Sequence, residues 1–282
     1  MLIVDRGNGP PLVLIPGLQG RWEYVGPAVD ALSAYFRVLT FPLCDEPSSG
    51  LAFDAARGLD SYADQIRAIL DRAGVSRAVI CGISFGGLIA TRFAAMHPTP
   101  TALLILVSTP PPGMPLKRRH QIYLRMPWIL GPLLLAEAPW RLRPELRMAM
   151  PDATTRRRFS LRALATLVRA PLSLSRMAAR ARLLTRADVR GDCTRITTPA
   201  LVITGEPGLD YVVPVEGSSE YMRLIPDAHH AIIERTGHLG SVTRPEAFAA
   251  IVRDFVKIDV AADPRVGPGR THGSAPTRDQ VA

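Results

Sequence analysis

The sequence predicts an α/β fold: a mostly parallel central sheet with helices on both faces, interrupted by one helical insertion. Three observations predict it. Short, continuous apolar runs recur along the chain, stretches with helical spacing alternate with them, and the stretch 110–190 has no strand-like run at all. A strand inside a parallel sheet is covered on both faces, so it reads as an unbroken apolar run and not as an alternating one.

Each element follows from its own residues. Leu12-Val13-Leu14-Ile15 is a short apolar run halted by Pro16-Gly17, and Arg37-Val38-Leu39-Thr40-Phe41 is halted by Pro42. Between Ser61 and Ala73, Tyr62, Ile66, Ile69 and Leu70 are spaced for one helical face, with Gly74 as the stop signal. Ala78-Val79-Ile80-Cys81 gives a third strand, and a helix from Gly86 to His97, closed by Pro98, follows it. Leu103–Val107, Leu201–Ile203 and Ala231–Ile233 supply three more strands, the last two each followed by a helical stretch. The stretch 110–190 opens with Pro110-Pro111-Pro112-Gly113 and has helix-like patches at Ile122–Leu135 and Arg157–Leu167. From Asp259 to Ala282 no periodicity survives, so a disordered tail is expected there. The organisation read from the sequence is therefore a core of 1–109 and 191–258, a helical, arginine-rich cap at 110–190, and a tail at 259–282.

Composition narrows the function classes. The chain has 282 residues, 47% hydrophobic and 21% charged, enough apolar surface for a folded core and too much for a disordered chain. No apolar stretch is long enough to cross a membrane, and the charges of Asp5 and Arg6 interrupt the N-terminal run, unlike a secretory signal. Cys44, Cys81 and Cys193 are scattered and odd in number, which argues against a disulfide framework and against a zinc site. A cytoplasmic protein is the expectation.

The formal net charge of +9 is unevenly spread. Residues 110–190 hold 17 of the 34 Lys and Arg and only 4 of the 25 Asp and Glu, an excess of thirteen positive charges. Arginine outnumbers lysine 32 to 2, a bias that a GC-rich genome would produce by codon usage. A solvated helical face is the simplest reading; an anionic substrate or an acidic partner is the alternative. Nucleic-acid binding is not expected, because no recognition motif or interleaved aromatic residues accompany the arginines.

The strongest chemical signal is Gly82-Ile83-Ser84-Phe85-Gly86, a G-x-S-x-G pattern set between a predicted strand and a predicted helix. A serine there sits on a tight, strained turn, and small flanking glycines let strand and helix approach each other. Its hydroxyl is then presented above the sheet, at the positive end of the helix dipole. A serine hydroxyl needs a base. Of six histidines, His97 lies at the far end of the elbow helix, His120 in a basic run, His229 and His230 at the start of the last strand, and His272 in the tail. His238, in Arg235-Thr236-Gly237-His238, follows that strand at the C-terminal edge of the sheet, where Ser84 also sits. The base needs a carboxylate to orient it. Asp210 and Glu206 share the loop after Leu201–Thr204, and Asp210 is favoured because Pro207-Gly208 gives a turn that can carry it inward. Cys44 has no nearby histidine and reads as an incidental thiol.

On these residues the chain resembles the α/β-hydrolase fold superfamily over about residues 10–257. Ser84 in the elbow, Asp210 ahead of Pro214, His238 in a Gly-His pair, and an insertion at 110–190 all follow that pattern. The resemblance implies two backbone N–H groups that hold an oxyanion, mapping onto Leu18 and Phe85. Such a donor contributes roughly 3 kcal/mol in comparable sites. Where many relatives have His-Gly after the first strand this chain has Pro16-Gly17, and the backbone donor does not depend on that side chain. Gln19 can add a polar group to the pocket or stay a solvated loop residue. Trp128, Ile129, Leu130, Leu133, Leu134 and Trp140 can line a pocket or pack the cap onto the core. The resemblance implies a serine hydrolase of carboxylic esters or thioesters working through an acyl-enzyme, with no cofactor or metal. An anionic substrate or acidic carrier protein at the basic cap is a further expectation. The alternatives are other chemistry at the same triad (C–C bond, lactone or amide hydrolysis, or acyl transfer) and a binding protein that kept the fold.

Overall fold

The computed structural model describes residues 1–115 and 118–262. The chain begins with strand β1 (Val4–Arg6) and continues through β2 (Pro11–Ile15), helix α1 (Gly26–Leu32), β3 (Arg37–Thr40), α2 (Leu59–Arg72), β4 (Ala78–Ile83), α3 (Phe85–Met96) and β5 (Thr101–Val107). Five helices follow without a strand: α4 (Arg118–Arg125), α5 (Pro127–Ala149), α6 (Ala153–Arg169), α7 (Leu174–Arg186) and α8 (Val189–Cys193). The alternation then resumes with β6 (Ala200–Thr204), α9 (Val215–Ser218), α10 (Glu220–Leu224), β7 (Ala228–Ile232), α11 (Gly240–Thr243) and α12 (Pro245–Ala262).

The seven strands form one sheet in the order β1-β3-β2-β4-β5-β6-β7. Every pair is parallel except β1 with β3. The chain moves outward from β2 to β3, then returns to the other side of β2 with β4. The crevice between the ends of β2 and β4 is thus the switch point at which open α/β sheets bind ligands. Two cores flank the sheet. Val13, Ile15, Ile80 and Leu104 face α2 and α3, whereas Leu12, Leu14, Cys81 and Ile105 face α1 and α12, as the twofold period of a strand requires.

Several expectations change in detail. β1 was not read from the sequence: its three residues carry two charges and pair at the sheet edge. The last strand begins at Ala228 and ends at Ile232, so it includes His229 and His230, as the sequence placed them, but not Ile233. The patch Ile122–Leu135 is two helices, broken at Met126, because a residue before proline disfavours the α conformation. The expected tail starts too early: α12 continues through Asp259 to Ala262, and the rest of that stretch, with His272, lies outside the described residues. No helix among the described residues is long and apolar enough to cross a membrane.

Candidate active site

Ser84 is where the sheet geometry and the motif meet. It stands between β4 and α3 with φ 54° and ψ −119°, a positive φ that a non-glycine residue adopts only at a strain of about 1–3 kcal/mol. The flanking glycines make the turn possible by absence of bulk. A Cβ on Gly82 would lie 2.2 Å from the Gly86 carbonyl oxygen, and one on Gly86 would lie 2.5 Å from that of Ile15. The Ser84 N–H donates to the Val107 carbonyl at 2.8 Å, tying the elbow to the neighbouring strand.

The loops after β6 and β7 bring the other two residues to the same edge. His238 Nε2 is 3.1 Å from Ser84 Oγ, and its Nδ1 is 3.2 Å from Asp210 Oδ2. With the ring proton on Nδ1, Nε2 accepts from the serine hydroxyl and Nδ1 donates to the carboxylate. Asp210 is itself held by the N–H groups of Val212 and Val213, which donate to its Oδ1 at 2.9 and 2.7 Å. Gly208, at φ +84°, makes the turn that carries Asp210 inward. Gly237 allows the two loops to touch, since a Cβ there would sit 2.2 Å from the Leu209 carbonyl oxygen. Glu206 does not reach the histidine; its Oε1 accepts from the Arg235 N–H at 2.6 Å.

Two charged residues of the helical stretch, neither singled out in the sequence, reach into this arrangement. Glu145 on α5 is buried, and its Oε1 accepts from the Leu239 N–H at 2.6 Å, beside His238. Burial pushes the Glu145 carboxyl above the ordinary range, against the pull of the Leu239 and Gly237 N–H groups and of His238. For His238 burial works to lower the pKa, but Asp210, by charge and hydrogen bond, and Glu145 outweigh it, so the imidazole lies above its ordinary value. Arg180 on α7 is fully buried. It donates to both Asp45 oxygens at 2.8 and 2.9 Å, to Glu46 Oε1 at 2.5 Å and to the Leu18 carbonyl at 2.8 Å. As one of 32 arginines, it carried no signal that set it apart.

Leu18 and Phe85 flank a cavity of about 310 Å³ that opens onto Ser84. Among the described residues neither backbone N–H donates to a protein acceptor, so both remain free beside the serine. The cavity wall is overwhelmingly apolar, built from Leu124, Leu142, Met177 and Val213 among others. Besides Ser84, polar side chains come from Tyr123, Arg141 and Tyr211, and Arg141 is paired with Glu137 at 2.5 Å.

The structure does not bring the remaining candidates to the cavity. On α5, Trp128 and Trp140 are 72% and 73% exposed and Ile129 is 70% exposed, and none of the three lines the cavity. Residues 127, 131, 138, 141 and 142 of the same helix face the cavity instead. Leu133 is exposed and Leu130 half-buried, while the Leu134 side chain falls outside the described residues. Gln19 lies beside Gly17 on the loop after β2 and does not line the cavity. Cys44, Cys81 and Cys193 are free and buried, and burial pushes the Cys44 thiol up to about 12. Among the described residues no cluster of His, Cys, Asp or Glu could hold a metal ion.

Comparison with known proteins agrees with this geometry at the level of the family. The model of the "Alpha/beta hydrolase family" matches residues 12–251. A Stutzerimonas stutzeri protein named "Putative carbamate hydrolase RutD" is 27% identical over 260 residues, covering 88% of this chain and 92% of that one. The pimeloyl-[acyl-carrier protein] methyl ester esterase of Vibrio campbellii is 26% identical over 274 residues, covering 88% and 95%. Among solved structures, the enol-lactonase from Burkholderia xenovorans LB400 superposes with a TM-score of 0.73 at 23% identity, over 91% of this chain and 96% of that one. The chain belongs to the alpha/beta hydrolase family.

Proposed function

We propose that the protein hydrolyses a carboxylic ester or thioester with an apolar acyl group, through a Ser84–His238–Asp210 triad and an acyl-enzyme. The observation that carries this reading is the pair of contacts on one imidazole, 3.1 Å to Ser84 and 3.2 Å to Asp210, at the mouth of an apolar cavity. Ser84 attacks the carbonyl carbon while Nε2 of His238 takes its proton. The Leu18 and Phe85 N–H groups receive the developing oxyanion, and the imidazolium returns the proton to the leaving alcohol or thiol. Water then enters, loses a proton to His238, and releases the acid from Ser84. None of these steps requires a metal or organic cofactor.

In this reading residues 110–190 act as a cap over a core of 1–109 and 191–258, with α4, α5 and α7 supplying the acyl wall. The cavity offers one guanidinium, already paired, so its interior favours an uncharged acyl chain over an anionic one. The cap's other arginines would meet a substrate's carrier only from outside the cavity. A second reading, cleavage of a carbamate or lactone by the same residues, draws on the names of the relatives; the triad geometry serves any acyl carbon.

The test is a fluorophosphonate label followed by a neutral p-nitrophenyl ester series. The expected results are an adduct on Ser84 and a kcat/KM that rises with acyl length until the cavity is full. A folded protein whose Ser84 is not labelled would overturn the proposal; lactone or carbamate turnover far above that of every ester would favour the second reading.

A further inference from the structure

The outer face of the helical stretch is built unlike the surface of a freely soluble enzyme. On α5, Ile129, Leu133 and Trp140 follow one another at spacings of four and seven, so they share the face opposite the cavity wall; Trp128 borders it. All four are more than half exposed. The next helix, α6, has no buried residue among its seventeen. Leu161, Leu164 and Val168 form a stripe at spacings of three and four, exposed by 56%, 57% and 75%. Arg158, Arg162 and Arg169 run alongside that stripe, and no acidic residue lies within α6. Among the described residues Arg147, Arg157, Arg158, Arg162 and Arg169 have no ion-pair partner. Arg143 stacks over the Trp140 ring at 5.8 Å. Only Met150–Asp152 separate the two helices.

We infer that the exposed apolar and basic faces of α5 and α6 dock on an anionic lipid bilayer. Exposed tryptophan, leucine and valine interleaved with unpaired arginine are what an interfacial helix needs. The apolar side chains enter the headgroup boundary, and the guanidinium groups meet lipid phosphates. Leaving these apolar side chains in water is unfavourable, so the face calls for an apolar occupant. A second copy of the chain fits badly, because both partners would present the same excess of positive charge across the contact. A soluble acidic protein answers the arginines but leaves two protruding tryptophans to be matched by a pocket. A bilayer answers both. The arrangement also places the opposite side of α5 against the acyl cavity, so a substrate dissolved in the membrane would have one helix to pass. The inference rests on the surface of α5 and α6 and stands whichever acyl bond Ser84 cleaves.

Flotation of the full chain with vesicles tests it. Phosphatidylcholine vesicles containing about 30% phosphatidylglycerol are compared with phosphatidylcholine alone, at about 50 and about 300 mM salt. The expected result is binding to the anionic vesicles only, weakened by salt but still measurable at the higher concentration. The W128A/W140A and R158Q/R162Q double variants should each weaken binding about tenfold or more while hydrolysing a water-soluble ester at the parent rate. S84A should float like the parent, which separates docking from catalysis. The inference is overturned by equal or absent binding to the two vesicle types, or by binding indifferent to the loss of both tryptophans. It is also overturned if a soluble acidic acyl carrier protein is captured, with the same arginines required, while vesicles are not.

Discussion

Arg180, fully buried on α7, donates through Nη1 to the main-chain oxygen of Leu18 at 2.8 Å. The same guanidinium forks onto Asp45 and reaches Glu46, so one side chain joins the helical stretch, the loop after β3 and the loop after β2. Holding the Leu18 carbonyl fixes the peptide that follows the proposed oxyanion donor. Replacing Arg180 with methionine should leave the buried Asp45 without its cation and Glu46 with Arg176 alone, and lower stability by about 3–5 kcal/mol. Replacement with lysine keeps the charge and loses the fork. R180K should fold and lose about tenfold in kcat with little change in KM. Thermal melting and kcat per folded molecule check this, and an R180K kcat equal to that of the parent would remove the link.

Two carboxylates share the loop after β6 and have separate tasks. Asp210 is on His238, and Glu206 is on the Arg235 N–H. D210N should lower kcat by about 10⁴, because the amide no longer fixes the imidazole tautomer. E206Q keeps an acceptor for Arg235 and should stay within about threefold of the parent. Steady-state kinetics on one neutral ester decides the assignment.

In the proposed mechanism His238 must be neutral to take the serine proton, and its pKa lies above the ordinary value of 6.5. The acid limb of the kcat/KM profile should therefore fall above pH 6.5, with activity lost as pH drops through it. E145Q removes one of the carboxylates that raise the imidazole while keeping an oxygen for the Leu239 N–H. Its limb should move to lower pH, with plateau activity within about tenfold of the parent. A pH profile of the pair measures this directly; an unmoved limb would mean that Glu145 only holds the loop.

Gly237 sets the approach of the His238 and Asp210 loops. Alanine there would drive a Cβ against the Leu209 main-chain carbonyl, with no flexible side chain to yield. G237A should separate the loops, and a misplacement near 1 Å is enough to cost about 10²-fold in rate. The expected signature is a fall in kcat larger than any fall in the fraction folded.

Much of this was legible in the chain. A parallel-sheet strand is marked by its own apolar run, and a nucleophile elbow by small residues at fixed offsets, so β2 to β6 and Ser84 could be read locally. His238 followed from which end of a strand its loop leaves. Other features depend on what sits opposite. β1 is three residues held by its neighbour, and Arg180 becomes special only through Asp45, Glu46 and Leu18. Trp128 and Trp140 could not be placed, because α5 is apolar on both faces and its sequence does not say which one turns to the cavity.

Helix α5 carries Pro132, Pro139 and Pro144 in its interior. Each withholds the N–H that an α-helix would give to the carbonyl four residues back, at Trp128, Leu135 and Trp140. One wall of the cavity is therefore a helix whose hydrogen-bond ladder is interrupted at three places. Missing ladder bonds let a helix bend more easily than an unbroken one, so a bulky ligand in the cavity would meet a wall able to yield at those three turns.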